Sequence, residues 1–318
     1  MRLKRQHLAG IAIVFFSLLA SACYVNQPFL DPADRLSPDA PTSATPNASG
    51  IAYGPQPIQL LDYYLPTAPL QGTIIWLHSG GWCCGDRSNV DPFILSLRSK
   101  GYGIVSVDYP LSPNATADQM LASVDRSIRY VKVNASLWGL GGKILIAGGS
   151  AGGHLALMMG TASGLATEVG LPPALASTSP KVDGVIAFAA PSDLRQYIHG
   201  EIYVPGMDAQ GLVEDLLDCS LRAGSTFPPC TEDRLLYYSP YFWAMLNFYY
   251  NLDLPPVYFA LGTEDTLVPL STQGEPIALA WQGNRGFFRT WLDRPPTGHN
   301  VSFLLNKTAF ELWISTRV

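Results

Sequence analysis

A serine lies among glycines in the sequence GGSAG at residues 148–152, after the apolar run KILIA and before the apolar run HLALMM. Strand, glycine-rich turn and helix in that order are typical of a nucleophile elbow, whose strained turn holds a serine hydroxyl at the tip of a sheet. A side chain in place of either outer glycine is expected to collide with the strand or the helix. The pattern therefore predicts that Ser150 is a nucleophile, and the alternative is a serine that only caps the helix.

Such a serine needs a neutral imidazole to take its proton and a carboxylate to orient that imidazole. His299 lies in a loop after the last predicted strand, where it can approach Ser150, and is therefore predicted to be the base by elimination. The loop GTEDTLVP at residues 262–269 supplies the acid. Glu264 and Asp265 both qualify chemically; Asp265 is preferred, and the alternative is that either residue only forms a turn. The remaining histidines are His7, His78, His154 and His199.

Acyl transfer also needs two N–H donors at the point where the tetrahedral oxygen develops. The N–H of Ala151, directly after the nucleophile, is predicted to be one of them. The other is predicted at Gly80 or Gly81, in the turn after an apolar strand, since glycine lets the backbone approach a substrate closely. The alternative is an ordinary turn between a strand and a loop.

These residues need a scaffold that brings distant loops together. Near-continuous apolar runs alternate with helical patterns, which predicts a mostly parallel sheet covered by helices on both faces. Strands are predicted at residues 58–66, 73–78, 103–109, 143–147, 182–189, 256–262 and 287–292, and helices at 92–100, 117–138, 302–316 and after the elbow.

An insertion at about residues 195–255 interrupts this alternation and is rich in aromatic residues. Between two sheet strands it can overhang the carboxyl edge, where open α/β sheets bind ligands. It is predicted to be a lid or substrate wall, or else a packed excursion whose aromatics belong to the core. Asp193, just before the insertion, is interpreted as a structural or pocket-rim residue.

The composition favours a large folded domain, since 47% of the 318 residues are hydrophobic and 14% are charged. The net charge of −5 gives no basic surface, so nucleic acid is not expected as a partner. Residues 1–22 combine basic residues, an apolar run and small residues, as a signal peptide does. Either ordinary cleavage frees a secreted protein, or Cys23 becomes a lipidated, membrane-attached first residue. The Pro-, Ser- and Thr-rich residues 23–55 are predicted to be a flexible tether, which favours the lipoprotein.

The remaining cysteines fit an oxidising compartment. Cys219 and Cys230 flank a short loop and are predicted to form a disulfide. Cys83 and Cys84 are adjacent, and three states stay open: a vicinal disulfide, two buried thiols, or pairing with distant cysteines. The sequence has no Cys/His cluster with ligand spacing, so a metal site is not expected.

Four motifs in order give the chain a family resemblance: HSGGW with GD at residues 78–86, DYPLSP at 108–113, GGSAGGH at 148–154 and GTEDTLVP at 262–269. Together they resemble the α/β-hydrolase carboxylesterases, including the hormone-sensitive-lipase-like and the feruloyl/acetyl-xylan-esterase-like groups. The chain departs from the family pattern at Ser79, which replaces a glycine, and at Cys83-Cys84, where a vicinal disulfide would stiffen the loop.

The resemblance implies an α/β-hydrolase fold over residues 56–318 and hydrolysis of a small-molecule ester without a cofactor. The alternatives are an amidase or aryl formamidase on the same triad, and a catalytically idle hydrolase fold that binds a ligand. The implied site consists of the triad Ser150, Asp265 and His299 and an oxyanion hole of Gly80, Gly81 and Ala151.

Overall fold

One mixed sheet organises the described part of the chain. The computed structural model describes residues 44–250, 252–283, 290–302 and 305–317. The sheet has eight strands in the order β1-β2-β4-β3-β5-β6-β7-β8. The pairs β1–β2 and β2–β4 are antiparallel, and every later pair in this order, from β4–β3 to β7–β8, is parallel. The strands are β1 (Ala48–Ala52), β2 (Leu60–Tyr64), β3 (Gly72–Leu77), β4 (Tyr102–Val107), β5 (Lys143–Gly149), β6 (Gly184–Phe188), β7 (Val257–Ala260) and β8 (Thr290–Asp293).

Helices cover both faces of this sheet, which is why its central strands are apolar throughout: every residue of β3 and β6 is buried. The described α-helices are α1 (Pro92–Ser96), α2 (Ala117–Asn134), α3 (Ala151–Ala162), α4 (Pro173–Ala176), α5 (Arg195–Ile198), α6 (Ala209–Leu217), α7 (Glu232–Tyr237), α8 (Pro240–Tyr250), α9 (Glu275–Gln282) and α10 (Lys307–Arg317).

The hydrophobic core has two layers. One contains Ile94 of α1 and Trp313 of α10, and the other contains Leu155 of α3 and Ile277 of α9. This arrangement confirms the predicted α/β-hydrolase fold with a mostly parallel sheet. Across the described ranges, we find no helix that combines the length and the apolarity needed to cross a membrane.

The main differences from the sequence prediction concern three boundaries. The predicted tether at residues 23–55 is too long, because Ala48–Ala52 forms β1 at the edge of the sheet. The C-terminal helix begins at Lys307 rather than at residue 302. The last strand is Thr290–Asp293 rather than residues 287–292, and residues 284–289 lie outside the described part. The predicted signal peptide and Cys23 also lie outside it.

The sheet brings the predicted site loops to one edge. Leu77 of β3 pairs in register with Gly148 of β5, so the glycine turn after β3 and the Ser150 turn after β5 emerge side by side. Ala260 of β7 pairs with Asp293 of β8, and the loops after both strands leave at the same edge. Because β4 and β5 flank β3 on opposite sides, the order in which strands are added to the sheet reverses at β3. Open α/β sheets bind ligands at such a point.

Candidate active site

Ser150 lies in a strained turn between β5 and α3. Its φ of 49° and ψ of −118° are unfavourable for a residue with a side chain. A Cβ on Gly148 would lie 2.3 Å from the carbonyl carbon of Gly152, and one on Gly152 would lie 2.1 Å from the oxygen of Leu77. These contacts confirm the predicted packing of the glycines. Ser150 makes no side-chain capping hydrogen bond to α3, which contradicts the capping alternative.

Asp265 and His299 are joined directly. Asp265 Oδ2 lies 2.8 Å from His299 Nδ1, and Asp265 Oδ1 accepts hydrogen bonds from the backbone N–H groups of Leu267 and Val268, both at 2.9 Å. The Asp265 side chain is fully buried, whereas Glu264 is exposed. A carboxylate on Nδ1 leaves Nε2 of a neutral imidazole as an acceptor, as a general base requires.

The loops that carry these two residues are bonded to each other. Glu264 N–H donates to the oxygen of Thr297, and Thr263 N–H donates to the oxygen of Pro295, both at 3.0 Å. A Cβ on Gly262 would lie 2.1 Å from the oxygen of Thr297. Gly262 therefore permits the close approach that sets the position of the histidine loop.

The structure places Ser150, Asp265 and His299 at one edge of the sheet, and it joins the last two by a hydrogen bond. Among the described side chains, no hydrogen bond links Ser150 Oγ to His299. Hydrogen bonds between catalytic groups are often long before a substrate binds, and they tighten in the complex.

The predicted oxyanion donors point to no protein acceptor. Within the described ranges, the N–H groups of Gly80, Gly81 and Ala151 donate no hydrogen bond to the protein. Gly80 and Gly81 have φ values of 128° and 57°, and a Cβ on Gly80 would lie 2.1 Å from the oxygen of Cys84. Glycine is therefore required at Gly80, and three N–H groups remain available to hold a negative oxygen.

An arginine that was not singled out from the sequence anchors residues 78–91, the loop that carries the predicted oxyanion donors Gly80 and Gly81 and is therefore called the oxyanion loop. Arg87 Nε donates to Asp62 Oδ1 at 2.7 Å, and its guanidinium reaches Asp108 Oδ2 at 2.5 Å. Arg87 N–H also donates to Asp108 Oδ1 at 2.6 Å. Both carboxylates are nearly buried, so this one side chain ties the loop to β2 and to the segment after β4. In the sequence, the feature that could have indicated this anchor was its partner Asp108, which lies within the DYPLSP motif.

The side chains of the other three described histidines contact residues outside the predicted triad. His78 is buried against Tyr109 with ring centroids 4.3 Å apart, and burial lowers its pKa. His154 is fully buried, and burial lowers its pKa to about 4. His199 is exposed, and its Nε2 lies 2.7 Å from Glu232 Oε1. These placements agree with the choice of His299 as the base.

The insertion between β6 and β7 contacts the oxyanion loop. A Cβ on Gly81 would lie 3.1 Å from a methyl carbon of Leu212 in α6. The aromatic residues of the insertion differ in exposure: Tyr197 is buried, whereas Tyr203 is 77% exposed. The contact supports a wall beside the site for part of the insertion, while other parts pack into the core. Asp193 pairs with Arg195 at 2.5 Å, which fits its structural interpretation.

The cysteines separate into two pairs. Cys219 and Cys230 form the predicted disulfide, which closes the loop after α6. Cys83 and Cys84 are thiols with Sγ atoms 3.0 Å apart. The structure therefore has neither a vicinal disulfide nor a bond to a distant cysteine at this pair; the two thiols are half-buried rather than buried as that alternative expected. The N–H groups of Cys83 and Cys84 both donate to the oxygen of Gly80, so the two thiols lie directly beside the predicted oxyanion donors.

The fold and this edge of the sheet define an α/β-hydrolase. The chain belongs to the BD-FAE family, whose model matches residues 61–276. A truncated form of a carbohydrate esterase from gut microbiota has a similar structure, with a TM-score of 0.70 and 22% identity over 87% of this chain and 99% of that one. Thermogutta terrifontis esterase 2 phosphonylated by sarin is also similar, with a TM-score of 0.63 and 21% identity over 88% and 94% of the two chains.

One curated relative is the esterase LipC of Mycobacterium tuberculosis. It is 32% identical over 117 residues, which are 35% of this chain and 28% of LipC. The similarity thus spans less than a third of that relative's length.

Proposed function

We propose that this chain is a serine carboxylic ester hydrolase that acts on small-molecule esters through an acyl-enzyme intermediate. The observation that carries the proposal is the 2.8 Å hydrogen bond between buried Asp265 and His299, at the sheet edge where Ser150 is held in a strained turn. The similarity to LipC, an esterase, supports the same class of reaction.

In the proposed first half-reaction, Ser150 Oγ attacks the ester carbonyl carbon while His299 Nε2 takes the hydroxyl proton. Asp265 holds the imidazole tautomer and stabilises the imidazolium. The C–O bond to the alcohol then breaks as His299 donates that proton to the leaving oxygen. In the second half-reaction, water attacks the acyl-enzyme while His299 takes a proton from it. The C–O bond to Ser150 then breaks as His299 donates that proton to Ser150 Oγ, and the acid is released.

The tetrahedral oxygen carries negative charge in both half-reactions. The N–H groups of Gly80, Gly81 and Ala151 donate to no protein acceptor in the described part of the chain, so they are available to stabilise this charge. The N-terminus of α3 adds its positive dipole end at the same place.

The test is hydrolysis of p-nitrophenyl esters of increasing acyl length, beside the matched anilides. We expect the esters to be cleaved, and Ser150→Ala to lower kcat by about 10⁴–10⁶-fold. Ser99→Ala, which changes an exposed serine on the helical turn after α1, is the control and should match the wild type. Cleavage of anilides without esters would contradict ester specificity, and activity retained in Ser150→Ala would contradict the nucleophile.

We also propose that the chain is exported and attached to a membrane through lipidated Cys23. The basic, apolar and small residues that precede Cys23 support this. Mass spectrometry of the mature N-terminus tests it: a diacylglyceryl mass on Cys23 is expected. An unmodified N-terminus beginning at Cys23 would instead indicate ordinary cleavage and a free protein.

A further inference from the structure

A buried chain of hydrogen bonds crosses three segments of the candidate site. Trp82 Nε1–H donates to His154 Nδ1 at 3.2 Å, and His154 Nε2–H donates to the backbone oxygen of Tyr238 at 2.8 Å. The rings of Trp82 and His154 meet edge to face, with centroids 5.3 Å apart. The chain therefore joins the oxyanion loop, the elbow helix α3 and the insertion.

Both ring nitrogens of His154 have a defined role. The imidazole is fully buried, and burial lowers its pKa to about 4, so it is neutral at neutral pH. A neutral imidazole has one donor and one acceptor. The Tyr238 oxygen takes the donor, which leaves Nδ1 to accept from Trp82. In an imidazolium, or in the other neutral tautomer, Nδ1 would carry a hydrogen that points at the indole N–H.

The two ends of the Trp82–His154 hydrogen bond lie beside the two halves of the predicted oxyanion hole. Trp82 directly follows Gly80 and Gly81, and its φ of 63° is unusual for a bulky residue, so it needs contacts that hold it there. On the other side, His154 N–H donates to the oxygen of Ser150 at 2.9 Å in the first turn of α3, which begins at Ala151.

We propose that His154 is a positioning residue for the oxyanion hole. Through Trp82 it sets the spacing between the N–H groups of Gly80 and Gly81 and the N–H of Ala151. The Tyr238 carbonyl fixes the imidazole tautomer, and so couples the insertion to the hole. This inference rests on the proposed ester hydrolase function.

Two conservative variants separate the two hydrogen bonds. His154→Asn places its Oδ1 where Nδ1 accepts from Trp82, but it is too short to reach Tyr238. His154→Gln extends its amide towards the Tyr238 oxygen and has no acceptor at the Nδ1 position. Trp82→Phe removes the indole donor and keeps an aromatic ring. All three are compared with the wild type in the full chain.

The readout compares an ester with its thionoester, whose sulfur anion is a poor hydrogen-bond acceptor and depends less on the oxyanion donors. A loss of folded protein lowers both rates equally, whereas misplaced donors lower the ester rate more. We expect His154→Gln and Trp82→Phe each to lower kcat for the ester by about 10–100-fold, with KM nearly unchanged and a reduced ester-to-thionoester rate ratio. His154→Asn should stay within about 5-fold of the wild type.

The double variant Trp82→Phe/His154→Gln should be no slower than the slower single variant, because both changes break one hydrogen bond. Wild-type kcat and rate ratio in His154→Gln and Trp82→Phe would overturn the proposal. Equal losses in His154→Asn and His154→Gln that follow the melting temperature would also overturn it. Failure of the proposed function would appear separately, as a Ser150→Ala variant that hydrolyses esters as fast as the wild type. That result would also overturn the positioning role of His154.

Discussion

Two adjacent carboxylates, Glu264 and Asp265, have the same chemistry but different surroundings. Asp265 is buried, accepts two backbone hydrogen bonds and contacts His299, whereas Glu264 points to solvent. Burial with preformed hydrogen bonds keeps the carboxylate in one orientation, so it can fix one tautomer of the imidazole. Glu264 lacks this burial, so it is not expected to orient the imidazole.

This contrast predicts different effects for matched substitutions. Asp265→Asn should lower kcat by about 10⁴-fold, because the amide favours the wrong tautomer of His299 while it keeps the shape of the site. Glu264→Gln should leave kcat within about 3-fold. Steady-state hydrolysis of a short p-nitrophenyl ester measures both. A large loss in Glu264→Gln with little change in Asp265→Asn would assign the acid to the other residue.

Gly262, in the loop that carries Asp265, and Gly298, in the loop that carries His299, allow a second matched test. A Cβ on Gly262 would lie 2.1 Å and 2.2 Å from the oxygens of Thr297 and Gly298, while one on Gly298 meets nothing within 4 Å. Gly262→Ala should therefore displace the loop that carries His299 and lower kcat by about 100-fold or more, since small misplacements of catalytic groups are costly. Gly298→Ala should keep most of the activity. Equal kinetics for the two variants would contradict this packing.

At the scale of the elements, the oxyanion loop is held by contacts on several sides. Arg87 ties it to β2 and to the segment after β4, Trp82 ties it to α3, and Leu212 of α6 packs on Gly81. Donors that are fixed before the reaction need no reorganisation when charge develops. The loop therefore depends on contacts that lie far apart in the sequence.

The Arg87 anchor has a measurable contribution to stability. Arg87→Met leaves two nearly buried carboxylates without their cation, and we expect it to lower the free energy of unfolding by about 3 kcal/mol. Lys100→Met is the control, because Lys100 and Glu311 form an exposed ion pair that should contribute less than about 1 kcal/mol. Urea denaturation at pH 7 measures both. A similar small effect for the two variants would show that Arg87 is not a structural anchor.

On the scale of the whole molecule, apolar runs predicted the central strands because both faces of the sheet are covered. Edge strand β1, with the sequence ASGIA, was missed because its residues are partly or fully exposed and only one is large and apolar. The sequence order of the motifs predicted which residues follow β5, β7 and β8. It did not predict the bond between Trp82 and His154, since those residues are 72 positions apart and meet only in the fold.

Burial of His154 should make the free energy of unfolding depend on pH. Its pKa is about 4 in the folded protein, against an ordinary value of 6.5. As pH falls from 6.5 to 4, the unfolded chain takes up a proton at this site that the folded chain does not, so the free energy of unfolding decreases. The expected contribution is about 3 kcal/mol, and it levels off below pH 4.

Urea denaturation of the wild type and His154→Gln at pH 7, 5 and 4 isolates this contribution, because other titrating groups are common to both proteins. The free energy of unfolding of the wild type should decrease relative to the variant over this range. A difference that is independent of pH would mean that His154 has an ordinary pKa in the folded state.

Covalent labelling by a serine-directed phosphonate, followed by peptide mass spectrometry, tests Ser150 as the nucleophile most directly. We expect one phosphonyl adduct, located on Ser150, with hydrolysis lost in proportion to labelling. We also expect much slower labelling in His299→Ala, which lacks the base. An adduct on another residue, or a folded wild-type protein that hydrolyses esters while Ser150 stays unlabelled, would contradict Ser150 as the nucleophile.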